Sequence, residues 1–280
     1  MSFNKQPRQI LVTGANRGIG FLVVKKLSET SSVDETIILL GSRDVKKGYD
    51  ALRQLNSPSN VFVLHLDTSS NESILHAIEE IKQKHGGYLD VIVNNAAISI
   101  AEITEDSARQ VFATNYYGIQ FINEHMTPLL INNGRIINVS SQVGIDTLQE
   151  CSRSLQEKYT SSELTQTQLN ELVEDFISSV RTNNLENLGY RTKPDWFVYG
   201  VSKMALNALT QIETRQWSAR KNLLCLSVTP GFCATDMTHF ATNARSAELG
   251  ADSILYVINT PANQLESGGF YRDGQLLTIS

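Results

Sequence analysis

The amino-acid sequence predicts an α/β fold, a doubly wound parallel sheet with helices on both faces. Three observations carry that expectation. Short apolar runs alternate with amphipathic stretches along most of the chain, the order that strand-helix-strand units leave in a sequence. The runs are continuously apolar rather than alternating, which suits strands covered on both faces. A glycine-rich turn, "LVTGANRGIG", joins the first run to the first amphipathic stretch, the context in which glycine spacing carries weight.

In order, the strand candidates are "QILVTG", "TIILLGS", "NVFVLHLD", "LDVIVNN", "GRIINVSS" and "NLLCLSVTPG". Between the fifth and sixth the rhythm breaks. From about 145 to 195 the chain carries polar helices, one with Leu169, Leu172, Val173, Phe176, Ile177 and Val180 on a single face. Thr165 and Gln168 form a capping box at its start. The expectation is one domain over residues 1–280 with a helical insertion, too small to fold alone, on the sheet's edge or over the site.

Composition narrows the function classes. A net charge of −5 and a pI near 5.6, without any long Lys/Arg run, argue against a nucleic-acid surface. No apolar stretch approaches the roughly 20 residues a membrane span needs, and no signal-peptide core is evident, so a soluble, cytoplasmic protein is expected. The three cysteines, Cys151, Cys225 and Cys233, lack C-x-x-C spacing and fit a reducing compartment. The five histidines are scattered, so no metal site is expected.

In the glycine-rich turn, Gly14 permits the tight bend, Gly18 lets the backbone approach a pyrophosphate, and Gly20 lets the helix close on the strand; Asn16, Arg17 and Ile19 complete it. These are the parts of a dinucleotide-binding Rossmann fold. The second strand ends in "LLGSRD". A carboxylate there would accept from the ribose 2′-hydroxyl of NAD, whereas cations would hold the 2′-phosphate of NADP. Arg43 and Arg17 are the cations, Asp44 reads better as the cap of the next helix, and Asp34 and Glu35 lie at the wrong end of the strand. NADPH/NADP+ is the expected cofactor.

"YGVSK" places Tyr199 and Lys203 at i and i+4, on one helix face. By itself such a pair is either a chance surface feature or a proton donor with the charge that tunes it. In sequence order, "TGANRGIG", "NNAA" from Asn94, Asn115 in "ATNYYG", "NVSS" ending at Ser141, "YGVSK", and Pro230, Gly231 and Thr235 in "PGFCATDM" resemble the short-chain dehydrogenase/reductase family over nearly the whole chain. The resemblance implies that Asp67, with Thr68, contacts the adenine ring, and that Asn94, Pro230, Gly231 and Thr235 also line the cofactor. It departs at Ala97, where the family usually has Gly. The 58 positions from Ser141 to Tyr199 far exceed the usual spacing, which resembles the carbonyl reductase branch and implies a monomer. Thr229 stands where mammalian members of that branch have Cys, so no thiol role carries over.

The family chemistry is carbonyl reduction: hydride reaches the carbon while the oxygen gains a proton. Tyr199 is the expected donor. A cation about 4 Å away supplies roughly 4 kcal/mol at an effective dielectric of about 20, enough to draw a phenol below its ordinary value near 10; Lys203 is that cation and is also expected to hold the nicotinamide ribose. Ser141 is expected to hydrogen-bond the substrate oxygen, and the resemblance implies that Asn115 holds a water linking Lys203 to solvent. The expected activity is NADPH-dependent reduction of a small-molecule ketone or aldehyde. The alternatives are an NAD(P)-dependent alcohol or hydroxysteroid dehydrogenase and, outside catalysis, an NADPH-binding sensor or scaffold. Met237, His239 and Phe240 are expected to line the substrate pocket. Trp196 and Phe197 form either an apolar wall or a hydrophobic helix start.

Overall fold

The computed structural model describes residues 6–191 and 196–278. Its strands are β1 (Arg8–Val12), β2 (Thr36–Ser42), β3 (Val61–His65), β4 (Leu89–Asn94), β5 (Leu130–Val139), β6 (Leu224–Val228), β7 (Phe270–Arg272) and β8 (Gln275–Leu277). They form one eight-stranded sheet in the order β3-β2-β1-β4-β5-β6-β7-β8. Every neighbouring pair is parallel except β7 with β8.

The helices are α1 (Gly18–Thr30), α2 (Val45–Gln54), α3 (Asn71–Lys84), α4 (Glu105–Phe112), α5 (Gly118–Met126), α6 (Gln142–Glu150), α7 (Arg153–Thr160), α8 (Gln166–Thr182), α9 (Phe197–Lys221) and α10 (Ala247–Asn259). Successive strand residues point to opposite faces, so Ile10 and Val12 pack with Val23, Val24 and Leu27 of α1 and Ile254 and Val257 of α10. Leu11 goes the other way, to Ile74 and Ile81 of α3 and Ile122 of α5. This two-sided burial is why the strands read as unbroken apolar runs. The order of strands reverses between β1 and β4, and the crevice at their carboxyl ends is where ligands of open α/β sheets bind.

Local predictions match the caps. Asp44 accepts from Lys47 N at 3.1 Å and starts α2, and Thr165 and Gln168 form the box at the head of α8. Leu169, Val173, Phe176 and Ile177 are buried in one cluster with Val198, Val201 and Leu209 of α9, and Leu172 and Val180 pack against its margin. Helices α6, α7 and α8 thus lie against α9. Residues 192–195, the end of the expected insertion, lie outside the described residues.

The last hairpin was not among the six strand candidates. Asp273 (φ 51) and Gly274 (φ 81) turn between β7 and β8. Two consecutive positive φ values are what an Asp-Gly hairpin turn supplies. The strands it joins are three residues each, too short for a periodicity signal.

Beneath the carboxyl end of the sheet a polar network replaces apolar packing. Asn94 donates to Asn123 Oδ1 (2.7 Å) and Asn138 Oδ1 (2.8 Å), Asn123 donates to Glu213 Oε2 (2.9 Å), and Asn138 donates to Thr210 Oγ1 (2.9 Å). Glu213 is 1% exposed, and burial pushes its carboxyl up to about 8 although hydrogen bonds from Asn123, Cys225 and Asn138 pull the other way.

A carboxyl raised on folding from 4.5 holds its proton longer in the native state, so its contribution to stability is complete below 4.5 and is lost as pH climbs through 8. Buried Lys203 is shifted downward and acts with opposite sign above neutrality, so the wild type must be compared with a variant. Glu213→Gln keeps the shape and removes the titration. Urea denaturation at pH 6 and pH 8.5 should show the variant gaining about 1 kcal/mol or more on the wild type across that interval.

Candidate active site

A glycine cradle is built from β1, β4 and α1. Gly14 and Gly18 have φ of 62 and 59, the left-handed region. A Cβ on Gly14 would lie 2.9 Å from Ala96 Cα, and one on Gly20 2.4 Å from Asn95 Nδ2. Thr13 Oγ1 accepts from the backbone of Asn95 (3.0 Å) and Ala96 (2.9 Å), while Asn95 Nδ2 donates to Thr13 O (2.8 Å). Thr13 and Asn95, the first residue of "TGANRGIG" and the second of "NNAA", therefore hold the turn. Asn95 was available as the second Asn of "NNAA", but which Asn faces the turn depends on the pleat of β4.

At the head of α1, Arg17 has extended backbone and no side-chain cap, and the first turn carries no acid. Its leading N–H groups and the positive end of the helix suit a pyrophosphate. Asn16 and Ile19 belong to this turn. Arg43 is exposed just beyond β2, and Arg17 meets Asp236 Oδ2 at 3.1 Å. Asp67 does not cap α3; Ser70 does. Asp67 Oδ1 instead accepts from Ser69 N (2.9 Å) and Oγ (2.7 Å). The neighbouring Thr68 is buried, its carbonyl 1.8 Å from where a Cβ on Gly118 would sit, so α5 presses directly on this loop. Gly231 has φ 77 after Pro230, and Thr235 N donates to Thr238 Oγ1 (3.1 Å). A hollow of about 420 Å³ lies between this segment and α1, lined by Gly18, Phe21, Thr235, Asp236 and Phe240 among others.

Asn94 is not positioned to offer its side chain to the cradle. It is 1% exposed, its Nδ2 donates to Asn123 and Asn138, and its Oδ1 is buried without a hydrogen-bond partner among the described residues.

Ser141, Tyr199 and Lys203 converge at the end of β5. Ser141 caps α6 through Val143 N (3.2 Å) and stands close enough to the Tyr199 hydroxyl to draw its proton affinity down. Lys203 Nζ lies 5.5 Å from the Tyr199 ring centroid, and the lysine is 1% exposed, donating to Val139 O at 2.8 Å. The helices carrying these groups cross through glycine: a Cβ on Gly144 would fall 2.8 Å from Lys203 C, and one on Gly200 2.2 Å from Thr147 Oγ1.

Ionisation differs from expectation. Burial lowers Lys203 to about 7, and burial raises Tyr199 to about 12 against the opposing effect of Ser141. In the chain alone the phenol is not acidified, because the amine that would do so is itself desolvated and turned to a carbonyl.

Asn115 is fully buried in a π-helical turn, Ala113–Tyr117, between α4 and α5. Its Oδ1 accepts from Ile98 N (2.9 Å), and its Nδ2 donates to Ile98 O (2.9 Å) and Ser202 Oγ (3.0 Å). Both amide hydrogens are used, which leaves one lone pair of Oδ1 for a water. Ser202 donates onward to Tyr199 O (2.7 Å) and so joins Asn115 to α9. Its position within "YGVSK" was the only signal for it. Trp196 sits edge-on to Tyr199 (centroids 5.7 Å, 72°), whereas Phe197 packs into the core against Phe176 (5.6 Å). Trp196 alone of the pair is therefore placed as an apolar wall.

The family model for short chain dehydrogenases matches residues 8–183. The chain is 33% identical over 263 residues to carbonyl reductase (NADPH) 1 of Bos taurus, spanning 90% of this chain and 91% of that protein. It is 31% identical over 269 residues to carbonyl reductase (NADPH) 3 of Rattus norvegicus, spanning 94% of each. Salutaridine reductase from Papaver somniferum shares its fold with a TM-score of 0.82 at 26% identity, over 94% of this chain and 99% of that one.

The glycine crossing predicts a measurable fault. Gly144→Ala sets a methyl group against the Lys203 backbone, which cannot yield as a side chain can, at a cost of about 1–3 kcal/mol. Its melting temperature should drop by several degrees, and an unchanged melting curve would mean that α6 and α9 are not in contact there.

Proposed function

The chain belongs to the short-chain dehydrogenase family, and from that premise we propose that it reduces ketones or aldehydes with NADPH, Tyr199 serving as the proton donor. The observation that carries this is the convergence of Ser141, Tyr199 and buried Lys203, whose Nζ lies 5.5 Å from the Tyr199 ring centroid, at the carboxyl end of the same sheet as the glycine cradle. The names of the relatives, carbonyl reductases of the NADPH-using kind, support the same cofactor and reaction.

NADPH, when bound, supplies the hydride for the carbonyl carbon. The turn from Gly14 to Gly20 and the uncapped head of α1 receive the pyrophosphate. Arg43 and Arg17 take the 2′-phosphate, and Asp67 with Thr68 the adenine. Lys203 holds the nicotinamide ribose, while Pro230, Gly231 and Thr235 flank the nicotinamide end; Asn94 contributes through the shape of β4, not its side chain.

Ser141 donates to the substrate oxygen and stabilises the charge that grows on it. Tyr199, held protonated at neutral pH by burial, has a proton to give. Negative charge entering the cradle favours the charged form of Lys203, which then assists the phenol. Asn115 keeps Ile98 and Ser202 in place and has one acceptor site left for the water that returns a proton to Lys203. Trp196 gives the pocket an apolar flank that suits a hydrophobic carbonyl compound. The same reading takes the chain as a cytoplasmic monomer, its α9 covered by α6 to α8. Among the described residues no helix is long and apolar enough to cross a membrane.

With a panel of carbonyl compounds from quinones to bulky cyclic ketones, followed by NADPH absorbance, Tyr199→Phe should lower kcat by roughly 10²- to 10⁴-fold with NADPH binding intact. Survival of full activity in that variant would remove Tyr199 as donor. For Arg43→Ala the KM for NADPH should rise roughly 10- to 100-fold, as the loss of a charge-assisted bond implies, with little change for NADH; equal effects on both would count against the 2′-phosphate assignment.

A further inference from the structure

Arg17 stands at the rim of the cradle, and its guanidinium reaches across to the segment that follows Thr235. There Nη1 makes a single contact, 3.1 Å, to Asp236 Oδ2. Asp236 begins a short 3₁₀ turn, Asp236–Thr238, and lines the hollow beside Gly18. The side chains are 67% and 54% exposed, so water screens the pair and it is easily exchanged.

We infer that Asp236 is a specificity-determining residue that competes with the cofactor's 2′-phosphate for Arg17. The inference rests on the NADPH reading above and concerns how sharply that phosphate is told from a hydroxyl. A phosphate taking the remaining N–H groups of Arg17 would meet a carboxylate on the same guanidinium. Either the carboxylate leaves or the two anions repel. In both cases Asp236 raises the free energy of the phosphate-bound state. A ligand with a bare 2′-hydroxyl makes no such demand on Arg17, so Asp236 leaves its binding unchanged. Asp236 thus holds the preference for NADP over NAD below what Arg17 and Arg43 together would give.

The test uses the full chain and two probes, adenosine 2′,5′-bisphosphate and 5′-AMP, with binding measured by calorimetry. Asp236→Asn keeps an acceptor at the same place and removes the charge. It should tighten the bisphosphate by about two- to fivefold, the range a surface ion pair spans, and leave 5′-AMP unchanged. The gain should vanish in an Arg17→Ala background, because the competition runs through that guanidinium. Weaker or unaltered bisphosphate binding in Asp236→Asn overturns the inference, as does an equal gain for 5′-AMP or a gain that persists without Arg17. If Arg17→Ala by itself leaves bisphosphate affinity untouched, the assignment of Arg17 to the 2′-phosphate falls and the inference falls with it. A bisphosphate no tighter than 5′-AMP in the unmodified chain would instead refute the NADPH reading.

Discussion

The burial of Lys203 is the constraint around which the rest of the site is arranged. An ammonium 1% exposed cannot keep its ordinary affinity for a proton, and here it falls to about 7. One carbonyl, Val139 O, receives it at 2.8 Å. Its backbone is held against Gly144, and Ser140 Oγ donates to its carbonyl at 3.4 Å. The same confinement favours the protonated form of Tyr199.

Helix α9 does more than carry the pair. Tyr199, Lys203, Thr210 and Glu213 follow one another at helical spacing, and the last three are buried. Val198, Val201, Ala205, Leu209 and Ile212 face the other way, into the cluster shared with α8. One side of the helix is thus polar and turned to the sheet, the other apolar and turned to the inserted helices. A polar seam in a core is stable only if its members satisfy one another. The asparagines of α5 and β5 meet that demand for Thr210 and Glu213, whereas Asn94 of β4 donates to both of those asparagines but keeps a buried Oδ1 without a partner among the described residues. The seam runs from Tyr199 and Lys203 at one end to the neutral carboxyl of Glu213 at the other.

What was legible and what was not divides by range of interaction. Asp44 capping α2 and Thr165 capping α8 follow from residues three apart, and both could be read directly. The cradle's glycines were legible for the same reason. Asn94 was assigned to the cofactor by its place in "NNAA", yet its side chain turns to Asn123 and Asn138, while Asn95 braces the turn. Asp67 is expected at the adenine ring, and its oxygen closes a local turn on Ser69. The C-terminal hairpin escaped because three-residue strands carry no period, although its Asp-Gly turn stood in plain view.

By itself the sequence determined the alternation of strands and helices, the glycines at the turn between β1 and α1, and the placing of a phenol and an amine on one helix face. Each depends on residues within a turn or two of one another, where propensity and spacing suffice. Only the tertiary structure decided that Lys203 and Tyr199 shift toward their uncharged forms, that Glu213 is held up to about 8, and that Arg17 faces Asp236 from 219 positions away. Those outcomes depend on how much water each group loses and which distant segment takes its place. Neither quantity exists until the chain has closed on itself.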